Sequence, residues 1–315
     1  MPTGPITTST SNFQTLMQDL VLAKATEELR ARLVHVMPDQ YVPGRFVKGT
    51  NQIRYARYSD LGANATALSE GVAPTEQGLT ISSDAFAAVQ YGQTLSITDL
   101  AQLDSPHDLI SVASDRLARQ AAETMDLVVR DVITAGTNVK YAGAATSRAT
   151  VAKTHVITGD LIKRQVAALK AANVPTFADG TYRCIIHPFH EYDLISDTAV
   201  SGWLEANKYV DNTPLLNGEI GKFAGVRFVV SSNAKVWAGA GATGANVYNA
   251  QFFGPDSFTV GDSQTLQAYF TAPGGDHADP LAQKAIAGWK MRFGAKLLDL
   301  AGAKYIRLET GATLG

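Results

Sequence analysis

The chain is poor in cysteine, in charge and in long apolar runs, and each shortage excludes something. A single cysteine, Cys184, in 315 residues leaves no partner for an intrachain disulfide and no multi-cysteine zinc module, and suits synthesis in a reducing cytoplasm. Only 18% of residues are charged, and 27 Lys and Arg against 29 Asp and Glu leave a formal net charge of −2. A dedicated nucleic-acid binder carries a basic excess instead. No uninterrupted apolar stretch reaches the ~18 residues of a membrane span, so a soluble protein is expected. Met1 to Asn12 are rich in Thr, Ser and Pro and lack the basic start and apolar centre of a secretory signal. What is present is ample apolar residue, 45% of the chain, enough for a buried core.

Catalytic signatures are equally sparse. No serine sits in a G-x-S-x-G elbow, and no carboxylate pair stands out. Gly239, Gly241 and Gly244 spell G-x-G-x-x-G. A dinucleotide site needs that motif between a strand and a helix, and the residues that follow here are strand-like, which favours a plain loop. Gly218 and Gly221-Lys222 miss the Walker spacing. Cys184, His187 and His190 form C-x-x-H-x-x-H, but Pro188 separates a strand end from a helix start, so convergence on zinc is not expected. No cofactor and no metal is expected. The reading of another class to be weighed is a metal-dependent hydrolase built on His187 and His190.

The organisation of the chain is α+β. Phe13 to His35 carries a helical apolar stripe ended by Pro38 and reads as an N-terminal arm. Thr50 to Tyr58 and Leu79 to Thr98 are β-leaning and flank Leu61 to Gly78, a long stretch of Ala, Gly, Ser, Asn and Thr. Together they read as a long two-stranded arm, which needs a surface to lie on because an isolated hairpin is marginal in water. Ser105 followed by Pro106 and Asp108 is a helix start, and the stripe from Leu109 to Val132 holds helical spacing until Gly136, about thirty residues or roughly 45 Å. A helix is then expected over 159–172, a strand over 182–187, a helix over 188–196, and strands over 226–231, 247–253, 285–300 and 304–309.

The charge is segregated. Between Tyr58 and Asp115 there is no Lys or Arg, while Asp60, Glu70, Glu76, Asp84, Asp99, Asp104, Asp108 and Asp115 are acidic. Basic residues cluster just before, at Arg45, Lys48, Arg54 and Arg57, and near the end, at Lys290, Arg292, Lys296, Lys304 and Arg307. Either these are segregated solvated faces, or the acidic arm docks on a basic surface of the next subunit, a head-to-tail contact that closes into rings. The candidates for such contacts are Arg54, Arg57, Asp60, Glu70, Glu76, Asp84, Lys290 and Arg292.

Several motifs in one order carry a family resemblance from about Thr50 to Ala312. They are Ala135-Gly136-Thr137-Asn138-Val139-Lys140-Tyr141-Ala142-Gly143, then Ser147-Arg148-Ala149-Thr150, and Asp179-Gly180-Thr181-Tyr182 leading to His187-Pro188. Asn217-Gly218-Glu219-Ile220-Gly221-Lys222 before Gly225-Val226-Arg227-Phe228, Asn233-Ala234-Lys235-Val236, and Asp279-Pro280-Leu281 to Gly288-Trp289-Lys290 follow. The set resembles the major capsid (coat) proteins of phages related to coliphage N four.

The resemblance implies the Johnson (Hong Kong 97-type) phage capsid fold. Its expected parts are an N-terminal arm (1–43), an extended β-hairpin loop (44–98) and a peripheral domain with a long spine helix (99–158). An axial domain (159–275) and terminal strands returning to the peripheral domain (276–315) complete it. It further implies a non-enzymatic structural protein that self-assembles as hexamers and pentamers into the icosahedral head of a tailed bacteriophage. Such a head forms in the host bacterial cytoplasm and encloses double-stranded DNA without sequence-specific binding. Portal, scaffolding and decoration proteins are the implied partners, and an encapsulin-like bacterial compartment shell is the alternative within the fold.

Overall fold

The computed structural model describes residues 33–37, 41–45, 52–58, 61–68, 70–71, 73, 76–106, 108–197, 219–274, 281–298 and 304–315. The arm helix expected over 13–35 lies almost wholly outside these residues, as do Asp60 and the turn at 275–280. The chain opens with β1 (Val42–Arg45), β2 (Gln52–Tyr58), β3 (Ile81–Ala87) and β4 (Val89–Thr98), then α1 (Asp99–Asp104) and the long α2 (Leu109–Thr134). Next come β5 (Val139–Tyr141), α3 (Gly159–Ala171), β6 (Tyr182–Ile186), α4 (Pro188–Ile195), β7 (Glu219–Phe223), β8 (Val226–Val230) and β9 (Val236–Trp237). Four strands follow: β10 (Val247–Phe253), β11 (Phe258–Thr271), β12 (Lys284–Leu297) and β13 (Tyr305–Thr310).

The spine helix α2 has 26 residues, about 39 Å at 1.5 Å per residue. It starts three residues later than the sequence suggests. Thr98 caps α1 by accepting from the Ala101 amide at 3.3 Å. Ser105, extended at ψ 131°, ends that helix because a residue before proline is forced out of the helical region. Asp108 then caps α2, one carboxylate oxygen accepting from Ile110 at 3.1 Å and Ser111 at 3.4 Å. An ionised acceptor at the positive end of the helix does this better than a serine hydroxyl. Ile110, Ala113, Leu117, Ala121, Val129 and Ile133 are buried at spacings of three, four or eight and present one stripe to a sheet.

That sheet has the order β1-β11-β12-β4, with β1 parallel to β11 and the other pairs antiparallel. On β12, Ala285, Ala287, Trp289, Met291 and Phe293 are buried beneath α2, and Trp289 donates its indole N–H to the Gln120 side chain at 3.3 Å. The intervening Lys284, Ile286, Lys290 and Arg292 face the other way, as the two-residue strand period requires. β2 and β3 form a separate two-stranded antiparallel hairpin. The chain leaves it at the buried Ala88 and passes into β4. The extended arm is therefore shorter than the sequence suggests, because Val89–Thr98 belongs to the spine's sheet.

The second sheet runs β5-β13-β10-β6-β8-β7, with β9 on β10. Its central strands are buried on both faces: Cys184 and Ile186 enter a core with Ile162, Leu169, Phe228 and Phe252, while Ile185, Phe253 and Tyr305 enter the core under α2. Such two-sided burial produces near-continuous apolar runs, which is why Val226–Val230 and Val247–Phe253 were legible as strands. Each fully buried Phe or Ile side chain stabilises by about 1.5–3 kcal/mol relative to exposure.

The partition at residue 275 does not follow these sheets. β11, placed on the axial side by that boundary, is hydrogen-bonded to β12 from Phe258↔Leu297 to Thr271↔Ile286. β13 sits between β5 and β10 in the second sheet, whereas β12 lies in the first. The strands pair by complementary buried faces, and sequence distance does not record that.

Candidate inter-subunit surface

The hairpin β2–β3 projects a poorly covered apolar surface. Tyr58, Leu61, Leu68, Leu79 and Ile81 are all more than half exposed, Leu68 reaching 72%. Every residue whose burial is described between 61 and 80, Glu70 and Glu76 included, is exposed. Arg54 and Arg57 lie in β2, in register with Ala85 and Ser82 of β3. Asp84 is engaged within its own chain: Lys296 donates to its carboxylate at 3.0 Å and to the Ala85 carbonyl at 3.3 Å. That contact ties the root of the hairpin to β12. A Cβ on Gly294, two residues earlier, would meet the Ala87 carbonyl at 2.6 Å, so the hairpin root and β12 pack backbone against backbone there.

Lys290 and Arg292 share the sheet face that points away from α2. Register places Gln90, Gly92, Thr94, Ser96 and Thr98 of β4 and Gln264, Gln267, Tyr269 and Thr271 of β11 on the same face. None of these is a carboxylate, while Lys284, Lys290 and Arg292 are basic. Lys290 lies over the Tyr269 ring at 5.1 Å, and the Tyr269 hydroxyl donates to Gln267 at 2.6 Å. Gly92 and Gly288 leave bare backbone in the floor, since a Cβ on either would approach its neighbour to 2.8 Å. The result is an open depression of about 550 Å³ bounded by Gln90, Thr94, Tyr269, Thr271, Ile286 and Lys290.

The other motifs resolve into structural roles. His187 caps α4, its Nδ1 accepting from the Phe189 amide at 3.2 Å, and its ring packs 5.0 Å from Tyr248. His190 is fully buried, hydrogen-bonded through Nε2 to the Thr310 hydroxyl at 2.7 Å. Burial, with the neighbouring His187 adding to it, pushes its pKa down to about 3. Burial also lowers His187 and raises the Cys184 thiol well above its usual range. Among the described residues no group of three or more His, Cys, Asp or Glu side chains could hold a metal. The Gly239 to Gly244 loop ties up its own amides, Gly239 to the Asn246 side chain at 3.0 Å and Gly241 to the Ala245 carbonyl at 2.8 Å, and leads into β10.

Two buried charge clusters escaped the sequence reading. Asp126, on the apolar face of α2, meets His35, and Glu309 of β13 meets Arg148 and Arg307. An acid on the buried stripe of a helix was the available signal for Asp126. Glu309 carried none, since its strand alternates polar and apolar like any half-exposed one.

Comparison with solved structures shows that this architecture is the Johnson (Hong Kong 97-type) fold. The capsid of Ralstonia phage GP4 aligns over 88% of this chain and 86% of its own at 18% identity and a TM-score of 0.67. The cyanophage Pam1 capsid aligns over 90% and 93% at 15% identity and a TM-score of 0.70. A virus-like particle from Pyrococcus furiosus also aligns, over 94% and 99%, at 12% identity and a TM-score of 0.51. No curated protein sequence matches significantly. The sequence profile of the family described as phage capsid protein matches residues 82–306, and the chain belongs to that family.

Proposed function

We propose that the chain is the major capsid protein of a tailed bacteriophage, assembling with copies of itself as hexamers and pentamers into an icosahedral head around double-stranded DNA. The observation that carries this reading is the family match over residues 82–306, on a fold whose projecting hairpin leaves large apolar side chains uncovered by its own chain. A shell subunit fits both facts, because weak contacts repeated around a closed surface sum to a stable assembly. The motifs quoted above favour the coat proteins of phages related to coliphage N four over an encapsulin-like shell. Assembly in the bacterial cytoplasm with portal, scaffolding and decoration proteins belongs to the same reading, as does the absence of catalysis. So does the division into arm, extended loop, peripheral and axial parts, with β11 counted on the peripheral side.

In this reading the acidic hairpin loop of one subunit, through Asp60, Glu70 and Glu76, docks on the basic sheet face of the next, at Lys290 and Arg292, with Arg54 and Arg57 contributing from β2. Complementary charge steers such encounters and weakens with salt, since screening acts within about 10 Å at 0.1 M. The test is to express the chain alone and examine it by size exclusion and electron microscopy at rising ionic strength. Closed shells, rings or sheets that loosen with salt are expected, and so is their loss on deleting residues 61–78 or on Glu70→Lys with Glu76→Lys. A monomer at every concentration, alone and with co-expressed scaffolding protein, would overturn the assignment. Shells indifferent to salt and to charge reversal would overturn the docking.

A further inference from the structure

We propose that Asp126 is the anchor fixing the N-terminal arm to the spine helix, and that removing its carboxylate frees the arm while the body of the subunit stays folded. Asp126 sits two-thirds of the way along α2, within the buried stripe that includes Ala122, Val129 and Ile133, and has no solvent exposure. An isolated carboxylate buried there would be strongly destabilising, so the group persists because it is satisfied. One oxygen accepts from the backbone amides of Val34 at 3.0 Å and His35 at 2.8 Å. The other meets His35 Nδ1 at 3.0 Å and accepts from the Asn233 side-chain amide at 3.2 Å.

Three of these four contacts come from the short segment Leu33–Met37, more than ninety residues earlier in the chain. Two of them grip main chain, so they hold the path of the arm rather than one side chain. His35 and Val36 are buried beside the helix, and among the described residues His35 Nε2 has no hydrogen-bond partner, which leaves Asp126 as the ring's polar attachment. Burial alone would raise the carboxyl pKa, but the hydrogen bonds and charge of His35 hold it below the usual range, consistent with a permanently ionised acceptor.

The fourth donor, Asn233, lies in the loop between β8 and β9. Its carbonyl accepts from Arg130 Nη1 at 2.8 Å one turn further along α2, and Lys235 nearby pairs with Asp131 at 3.0 Å. The carboxylate thus registers arm, spine and second sheet at one point. The spine has its own apolar contacts with β12, whereas Leu33–Met37 adds only Leu33, Val34 and Val36 to that core, so loss of the anchor bears on the arm first. Asp126 is accordingly a positioning residue that fixes the path of Leu33–Met37 against the spine.

The test is limited trypsinolysis of the full chain, read by mass spectrometry at Lys24, Arg30 and Arg32 against a body site such as Arg183, alongside thermal melting. Asp126→Asn and Asp126→Leu, the second filling the site without acceptors, are expected to speed cleavage at Arg32 at least ten-fold over wild type while the melt stays cooperative and Arg183 stays protected. Asn233→Ala, which leaves the arm's three contacts in place, is expected to change it by no more than about three-fold. If Asp126→Asn does not fold, Asp126→Leu and Asn233→Ala carry the comparison. Cleavage at Arg32 within two-fold of wild type in the Asp126 variants, acceleration shared equally with Arg183, or an Asn233→Ala effect as large as theirs would each overturn the proposal.

Discussion

Replacing Glu309 by glutamine should destabilise the subunit far more than any exposed ion pair can. The carboxylate has no solvent exposure. Oε2 accepts from Arg148 Nε at 2.8 Å and Oε1 from Arg148 Nη2 at 2.6 Å, a two-pronged pair, while Arg307 Nε lies 3.0 Å from Oε1. Arg148 is further held over the Trp237 ring at 3.8 Å. Glutamine keeps the shape and one acceptor but loses the charge that both guanidinium groups face. Hydrogen bonds to charged groups are worth roughly 1.5–3 kcal/mol each, and Arg148, with a third of its side chain exposed, regains some hydration. We therefore expect a loss of about 2–4 kcal/mol for Glu309→Gln. For Glu309→Leu, which takes from Arg307 its pair with Glu309, we expect about 3–5 kcal/mol. At ~2 °C per kcal/mol for a chain of this size, Glu309→Gln should lower Tm by roughly 4–8 °C. The control is Asp160→Asn, which breaks a 2.7 Å pair with Arg164 whose side chains are 60% and 71% exposed; an exposed i,i+4 pair is worth about 0.3–0.5 kcal/mol. Urea and thermal unfolding followed by circular dichroism distinguish the cases. A Glu309→Gln variant no weaker than Asp160→Asn would refute the reasoning, because it would mean the buried cluster is neutral against its own desolvation.

Leu169→Ala, at a side chain with no exposure in the core between α3 and the second sheet, should cost about 2–5 kcal/mol by urea unfolding. Gly294→Ala places a Cβ 2.6 Å from the Ala87 carbonyl and should cost about 1–3 kcal/mol by overpacking, read as faster hydrogen exchange in β3. His190 is held neutral by burial with a pKa of about 3, below its usual 6.5. Its contribution is therefore fully present above pH 6.5 and is lost as pH falls from 6.5 towards 3, by up to about 1.4 kcal/mol per unit. His190→Gln should flatten the pH dependence of stability across that window, and an unchanged slope would show that another group sets it.

The sequence announced the parts of this fold whose burial is one-sided or complete, and concealed those whose partners are remote. The stripe of α2 and the apolar runs of β8 and β10 follow from residue types within a few positions, so periodicity found them. β11 escaped because its outward face is polar and its ladder to β12 slips twice, between Asp262 and Gln264 and between Gln264 and Gln267, which breaks the alternation that marks a strand. Nothing local says that β5 lies parallel to β13, or that β6 lies parallel to β8. Such pairs join segments separated by whole helices and are fixed by which faces bury together.

The same division governs the candidate surface. The run without Lys or Arg between Tyr58 and Asp115 was visible as a pattern, and the structure spreads it over several elements: the exposed residues described between 61 and 80, Asp84 latched to Lys296, and Asp108 capping α2. Each acid answers to its own surroundings, so the charge of a segment does not by itself define a docking surface. The docking proposed above sets the loop's exposed Glu70 and Glu76 against a sheet face where register, not sequence proximity, gathers Lys284, Lys290 and Arg292. Bringing β4, β11 and β12 side by side is what makes that face basic, and a linear sequence cannot display it.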